Sequence, residues 1–122
     1  MGKKVHLIFA VLVLIILPAF LTVDSAGAFC VYNKTDTKIY VHQTGGQKTG
    51  FLDRGFEAEL NPGDNGCCNW QDTDCNKSGD REGIVTFNVG PYTWWICENF
   101  PIKAGGWLTV EGSAGNYKCV AH

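Results

Sequence analysis

The stretch Thr37-Lys38-Ile39-Tyr40-Val41-His42-Gln43 decides the fold class. In an extended chain Ile39 and Val41 share one face while Lys38, Tyr40 and His42 share the other, the period-two pattern of a strand with one side on a core and one in water. The alternation returns in Phe56, Ala58 and Leu60, which interleave with Glu57 and Glu59. Asn61-Pro62-Gly63 closes that run, because proline presets φ and glycine accepts φ > 0. Upstream, Phe29 to Asn33 is a short apolar and aromatic run set off by the turn Lys34-Thr35-Asp36. Downstream, Ile84 to Val89, Tyr92 to Cys97, Trp107 to Glu111 and Tyr117 to Ala121 read as strands punctuated by Gly90-Pro91, Gly105-Gly106 and Gly112 to Gly115. Gly45-Gly46 and Gly50 mark a loop. No window of residues 29–122 repeats apolar residues at helical spacing over three turns, so no helix of ordinary length is expected. The pattern predicts an all-β fold, a small disulfide-stapled antiparallel β-sandwich of about seven short strands, with a small β-barrel as the alternative. Asn61 to Glu82 carries almost no aliphatic side chain and is expected to be one long loop, pinned by Cys67, Cys68 and Cys75.

The first 28 residues are of another kind. They hold 19 of the 55 hydrophobic residues, with Lys3, Lys4 and Asp24 as the only charges. Two lysines, an apolar run from Leu7 to Val23 and the exit Ala26-Gly27-Ala28 form the three-part pattern of a secretory signal peptide over residues 1–28, cleaved before Phe29. An uncleaved signal anchor is the alternative, since the run approaches the roughly 20 residues needed to cross a bilayer core. Pro18 and the small-residue exit favour cleavage. Residues 29–122 then form a single cysteine-rich β domain with eight Lys/Arg against eleven Asp/Glu, a net charge of −3 where the whole chain has −2. That length and charge exclude a multidomain protein, a polytopic membrane protein, a cytosolic enzyme of ordinary size and a strongly basic binder of nucleic acid or anionic lipid. The expectation is a monomer with no cofactor, no nucleic-acid partner and no membrane contact once the leader is removed.

All six cysteines, Cys30, Cys67, Cys68, Cys75, Cys97 and Cys119, lie after the leader. An even number in a chain bound for an oxidising compartment reads as three disulfides. Neighbouring Cα atoms do not suit disulfide geometry, so Cys67 and Cys68 are expected to find different partners. The preferred scheme ties Cys30 to Cys119, and Cys67 and Cys68 to Cys75 and Cys97 in either order. A zinc site is disfavoured, because no Cys-x-x-Cys spacing occurs and only His42 and His122 follow the leader.

Phe29-Cys-Val-Tyr-Asn with Ile39-Tyr-Val, then Leu60-Asn-Pro-Gly-Asp and Cys67-Cys-Asn-Trp-Gln-Asp-Thr-Asp-Cys-Asn76, resembles small cysteine-rich secreted proteins of filamentous fungi. The likeness covers the first half of the secreted part. It implies an extracellular effector or wall-associated protein and transfers no functional residue, since such proteins come without an assigned activity. The first two strands are also faintly similar to the start of thaumatin-like domains, a fold about twice this long with many more cysteines.

Four groups of residues could carry chemistry. The aromatic residues Tyr92, Trp94, Trp95 and Trp107 are the candidate binding surface: on one strand Trp94 and Trp95 would face opposite ways, leaving at least one outside the core as a platform for a sugar or protein. Asp72, Asp74, Asn76, Ser78, Asp80 and Glu82 place oxygens at alternate positions, as calcium loops do, but Lys77 and Gly83 fall where an EF-hand needs glycine and glutamate. The competing role for these residues is local backbone capping. His42, with Glu57 or Glu59, is the one pairing that could serve a small hydrolase of ribonuclease or glycosidase type, although nothing in the spacing demands catalysis. Asn33-Lys34-Thr35 and Asn76-Lys77-Ser78 are glycosylation sequons in predicted turns. Together these point to a secreted extracellular protein that binds a glycan or another protein, with a hydrolase or a calcium-stabilised structural domain as the alternatives.

Overall fold

Eight strands form in the computed structural model, which describes residues 28–48 and 55–122. They are β1 (Ala28–Thr35), β2 (Ile39–Gly45), β3 (Glu57–Leu60), β4 (Asn65–Asn69), β5 (Ile84–Gly90), β6 (Cys97–Lys103), β7 (Trp107–Ser113) and β8 (Asn116–Ala121). Residues 1–27 of the expected leader, 1–28, and the loop at Gly50 lie outside the described residues, and Ala28 begins β1. One four-stranded sheet has the order β4-β1-β7-β8 and the other β3-β2-β5-β6; they pack face to face without closing into a barrel, and no helix occurs among the described residues. The predicted sandwich is therefore correct. One pairing departs from the all-antiparallel expectation: β1 runs parallel to β7, with Val31 opposite Leu108 and Asn33 opposite Val110.

Alternation sets the core as the sequence suggests. Phe29 and Val31 of β1, Ile39 and Val41 of β2, Val85, Phe87 and Val89 of β5, and Leu108 and Val110 of β7 are buried between the sheets. Each such side chain contributes about 1.5–3 kcal/mol on leaving water. Phe29 touches Phe56 and Phe87 at centroid distances of 5.6 and 5.5 Å, closing one end of the core with an aromatic trio.

Two strand assignments need correction. Tyr92 to Ile96 is a loop rather than a strand, and the strand begins at Cys97 and runs to Lys103. The chain doubles back after Gly90, with Trp94 N donating to Pro91 O at 3.3 Å and Ile96 N to Val89 O at 2.7 Å. Gly90 permits this, since a Cβ there would lie 2.1 Å from the Trp94 carbonyl oxygen. The expected long loop contains β4, which hydrophobic patterning could not reveal because Asn65-Gly66-Cys67-Cys68-Asn69 has no aliphatic residue. Backbone pairing with β1 and a disulfide hold it there. Gly66 turns inward, where an added Cβ would meet the Phe56 ring at 3.0 Å and Ala58 at 3.3 Å.

The disulfides are Cys30–Cys67, Cys68–Cys75 and Cys97–Cys119, and no cysteine is free. Cys30 thus joins Cys67 and not Cys119. Register explains the choice: Cys30 and Cys67 are direct partners across β1 and β4. Neighbours on a strand face opposite ways, so Cys68 lies on the other side, where its sulfur meets Cys75. Cys97 of β6 pairs with inward Val89, and Cys119 of β8 with inward Val110, so their bridge ties the edge strands of the two sheets together. Six paired cysteines suit an oxidising environment.

Candidate functional site

The loop from Pro91 to Ile96 carries the most exposed aromatic surface. Tyr92 is 86 % exposed, Trp94 46 % and Trp95 42 %, so neither tryptophan belongs to the core. The loop leaves the sheet at Gly90 and returns at the disulfide-bonded Cys97, which fixes both of its ends. Two of its rings rest on rings from the strands. Tyr92 packs edge to face against Tyr40 of β2, with centroids 5.5 Å apart. Trp94 stacks on Tyr117 of β8 at 6.0 Å with planes inclined by 28°.

Tyr117 is itself positioned. Its hydroxyl donates to Asp36 Oδ1 at 2.6 Å, and the Ala114 N–H donates to Asp36 Oδ2 at 3.0 Å. Asp36 thereby ties the β1–β2 turn to the β7–β8 turn and supports Ala114, whose φ of 53° is unusual for a residue with a Cβ. The tyrosine hydroxyl, then the amide, hold the Asp36 carboxyl below its ordinary value of 3.8, while the carboxylate pushes the Tyr117 phenol above 10.0. The sequence indicated Tyr92, Trp94 and Trp95 but not Tyr117 or Asp36. No local pattern links Asp36 to a tyrosine 81 positions away.

Trp107 does not join this surface. It stacks on His122 at 5.1 Å, and it lies five positions along β7 from Gly112, the partner of Tyr117. That is about 17 Å at the usual rise of a strand. The four predicted binding residues thus divide into a trio on one loop and a separate tryptophan.

His42 and Glu57 face each other across β2 and β3, with Nδ1 and Oε1 3.0 Å apart and both side chains about half exposed. Glu59 is engaged by Lys38 at 2.5 Å, which leaves Glu57 as the partner of the histidine. Tyr40, His42, Glu57 and Glu59 border a shallow groove on this outer face.

Asp72 and Asp80 of the acidic loop serve its own backbone, while Glu82 pairs with Lys103 at 2.9 Å. Asp72 Oδ1 accepts from Asp74 N and Asp80 Oδ1 from Glu82 N, both at 3.0 Å. Asn76 is 1 % exposed; its Nδ2 donates to Trp70 O and Asp80 O, and its Oδ1 accepts from Ser78 Oγ. Asp72 also approaches Cys68 and Cys75, but those sulfurs are bonded to each other and are not thiolate ligands.

Both sequon asparagines are structural, contrary to the expectation of accessible turns. Asn33 is also 1 % exposed, and its Nδ2 donates to Thr37 O at 2.8 Å and Leu60 O at 3.0 Å. Its Oδ1 accepts from Thr35 N at 3.0 Å and Thr35 Oγ1 at 2.6 Å. A glycan on either Nδ2 would displace these bonds in a place without room for a sugar. Comparison with known proteins finds no match: no family model, no curated protein and no solved structure corresponds to this chain.

Proposed function

We propose that the chain is a secreted extracellular binding protein whose recognition surface is the Pro91–Ile96 loop together with Tyr40 and Tyr117. The observation that carries this reading is the exposure of three large aromatic side chains within four residues, Tyr92, Trp94 and Trp95, on a loop anchored at Cys97. Exposed apolar rings on so small a domain are costly unless a partner covers them. Fixing Trp94 on Tyr117 and Tyr92 on Tyr40 lowers the ordering cost of binding. The leader-like residues 1–28 and the three disulfides support secretion, and an effector or wall-associated role fits such a surface.

The test is adsorption of the purified protein to insoluble cell-wall material and to immobilised extracellular proteins, comparing wild type with the combined Tyr92→Ala, Trp94→Ala, Trp95→Ala variant. Binding lost in a variant that keeps its near-ultraviolet circular dichroism supports the reading; undiminished binding removes it. A second reading rests on the His42–Glu57 contact, which orients a histidine at a groove as a general base requires. If His42→Ala abolishes a hydrolytic activity and leaves adsorption intact, the hydrolase reading replaces the first.

A further inference from the structure

Resting on the aromatic binding surface proposed above, we infer that its ligand is a neutral carbohydrate chain, stacked along the arc of Tyr117, Trp94, Tyr92 and Tyr40. The arc is built from two pairs: Trp94 and Tyr92 are two residues apart on one loop, and each lies against a ring supplied by a different sheet, Tyr117 of β8 and Tyr40 of β2. Each pair braces one side of its loop ring and leaves the loop ring open to solvent. Two braced rings in succession suit a repeating ligand that offers flat C–H faces at intervals, and pyranose chains have that form.

Charge selects the neutral class. Asp36 is the nearest carboxylate to the Trp94–Tyr117 pair and is occupied by Tyr117 and Ala114, while Lys38 on the Tyr40 side is occupied by Glu59. Lys118 follows Tyr117 on β8, but neighbouring residues of a strand point to opposite faces, and residues 29–122 carry a net charge of −3, which disfavours polyanions. The composition of the arc argues against a protein ligand. Protein interfaces add methionine and arginine to their aromatics, and the loop from Pro91 to Ile96 contains neither.

The experiment titrates the oxidised, full-length secreted protein with hexasaccharides of β-1,3-glucan, β-1,4-glucan, chitin and mannan, following tryptophan fluorescence and calorimetry. Binding of at least one, weakened tenfold or more by Trp94→Ala and by Tyr92→Ala, unchanged by Trp107→Ala and insensitive to salt between 50 and 500 mM, is the expected result. Tyr117→Leu, which removes the brace and keeps Trp94, should weaken the same sugar several-fold. Failure of all four sugars to bind, or equal binding by a folded Trp94→Ala variant, overturns the inference, as does a preference for polygalacturonate that salt abolishes. If the hexasaccharides fail while an immobilised extracellular protein binds through Trp94, the carbohydrate assignment falls and the aromatic binding surface stands.

Discussion

Asn33→Ala should unfold the end of the sandwich at which β1 hands over to β2. The wild-type side chain makes four hydrogen bonds with distances from 2.6 to 3.0 Å, all inside the protein. Each is worth about 0.5–1.5 kcal/mol net, and truncation leaves the carbonyls of Thr37 and Leu60 and the amide of Thr35 without that partner. The sum is about 2–6 kcal/mol, and a loss of about 3 kcal/mol, in the lower half of that range, compares with a total stability of about 5–15 kcal/mol for a typical domain. At about 4–8 °C per kcal/mol for a domain of this size, the midpoint falls by about 12–24 °C. Urea denaturation of the oxidised protein, followed by circular dichroism, measures the difference directly. Asn33→Asp adds a sign. It keeps both acceptor contacts but turns a carboxylate toward two carbonyls, so its pKa in the folded state is raised above the unfolded value. Its penalty is then full at neutral pH and shrinks as pH falls toward about 4, the ordinary carboxyl range. A loss below about 1 kcal/mol for Asn33→Ala would refute the reasoning, and so would a glycan on Asn33 in protein that is folded and fully stable.

Three further expectations follow from the same geometry. Spectrophotometric titration should show one tyrosine ionising above the usual range, and either Asp36→Asn or Tyr117→Phe should abolish that late step. Because the Asp36 carboxyl is held below 3.8, the stability lost in Tyr117→Phe should be present at neutral pH and vanish as pH falls through that lowered value. Replacing both Cys97 and Cys119 by serine opens a bridge spanning 22 residues and should cost about 3 kcal/mol in urea denaturation, with the sheets losing their covalent tie at the β6/β8 edge. Millimolar calcium should leave the melting temperature within about a degree, since Asn76 is internally bonded, while Asp72→Ala should lower it equally with and without calcium.

Alternation carried most of the fold. Ile39 and Val41, and Val85, Phe87 and Val89, announce their faces because one side of each strand is dry and the other wet. Where backbone pairing and covalent bonds do the holding, that signal is missing. β4 is such a case, and so is the Cys30–Cys67 bridge, which depends on the register of two strands rather than on spacing. Tyr92 to Cys97 misled for the opposite reason: its rings look like strand residues, but Gly90-Pro91 lets the chain turn sharply and brings them to the surface. The exposed loop of the candidate site was legible as an aromatic cluster. Its supports, Tyr40, Tyr117 and Asp36, were not, because they meet it only through tertiary contacts.

The three bridges follow one another along the chain without crossing: 30 to 67, 68 to 75 and 97 to 119. A protease cut inside any of these rings opens it and releases no fragment. The segment from Asn76 to Ile96 is different, for no bridge spans it, and Lys77 and Arg81 stand exposed near its start. Cleavage after either residue would leave two polypeptides with no covalent bond between them. The earlier one would own β1 to β4 and the later one β5 to β8. Each sheet consists of two adjacent strands from either side of that cut, β4-β1 beside β7-β8 and β3-β2 beside β5-β6. The molecule is thus a pair of interlocked halves, joined by two strand seams and a single length of backbone, and a nick at Lys77 or Arg81 would convert it into a non-covalent heterodimer of its own pieces.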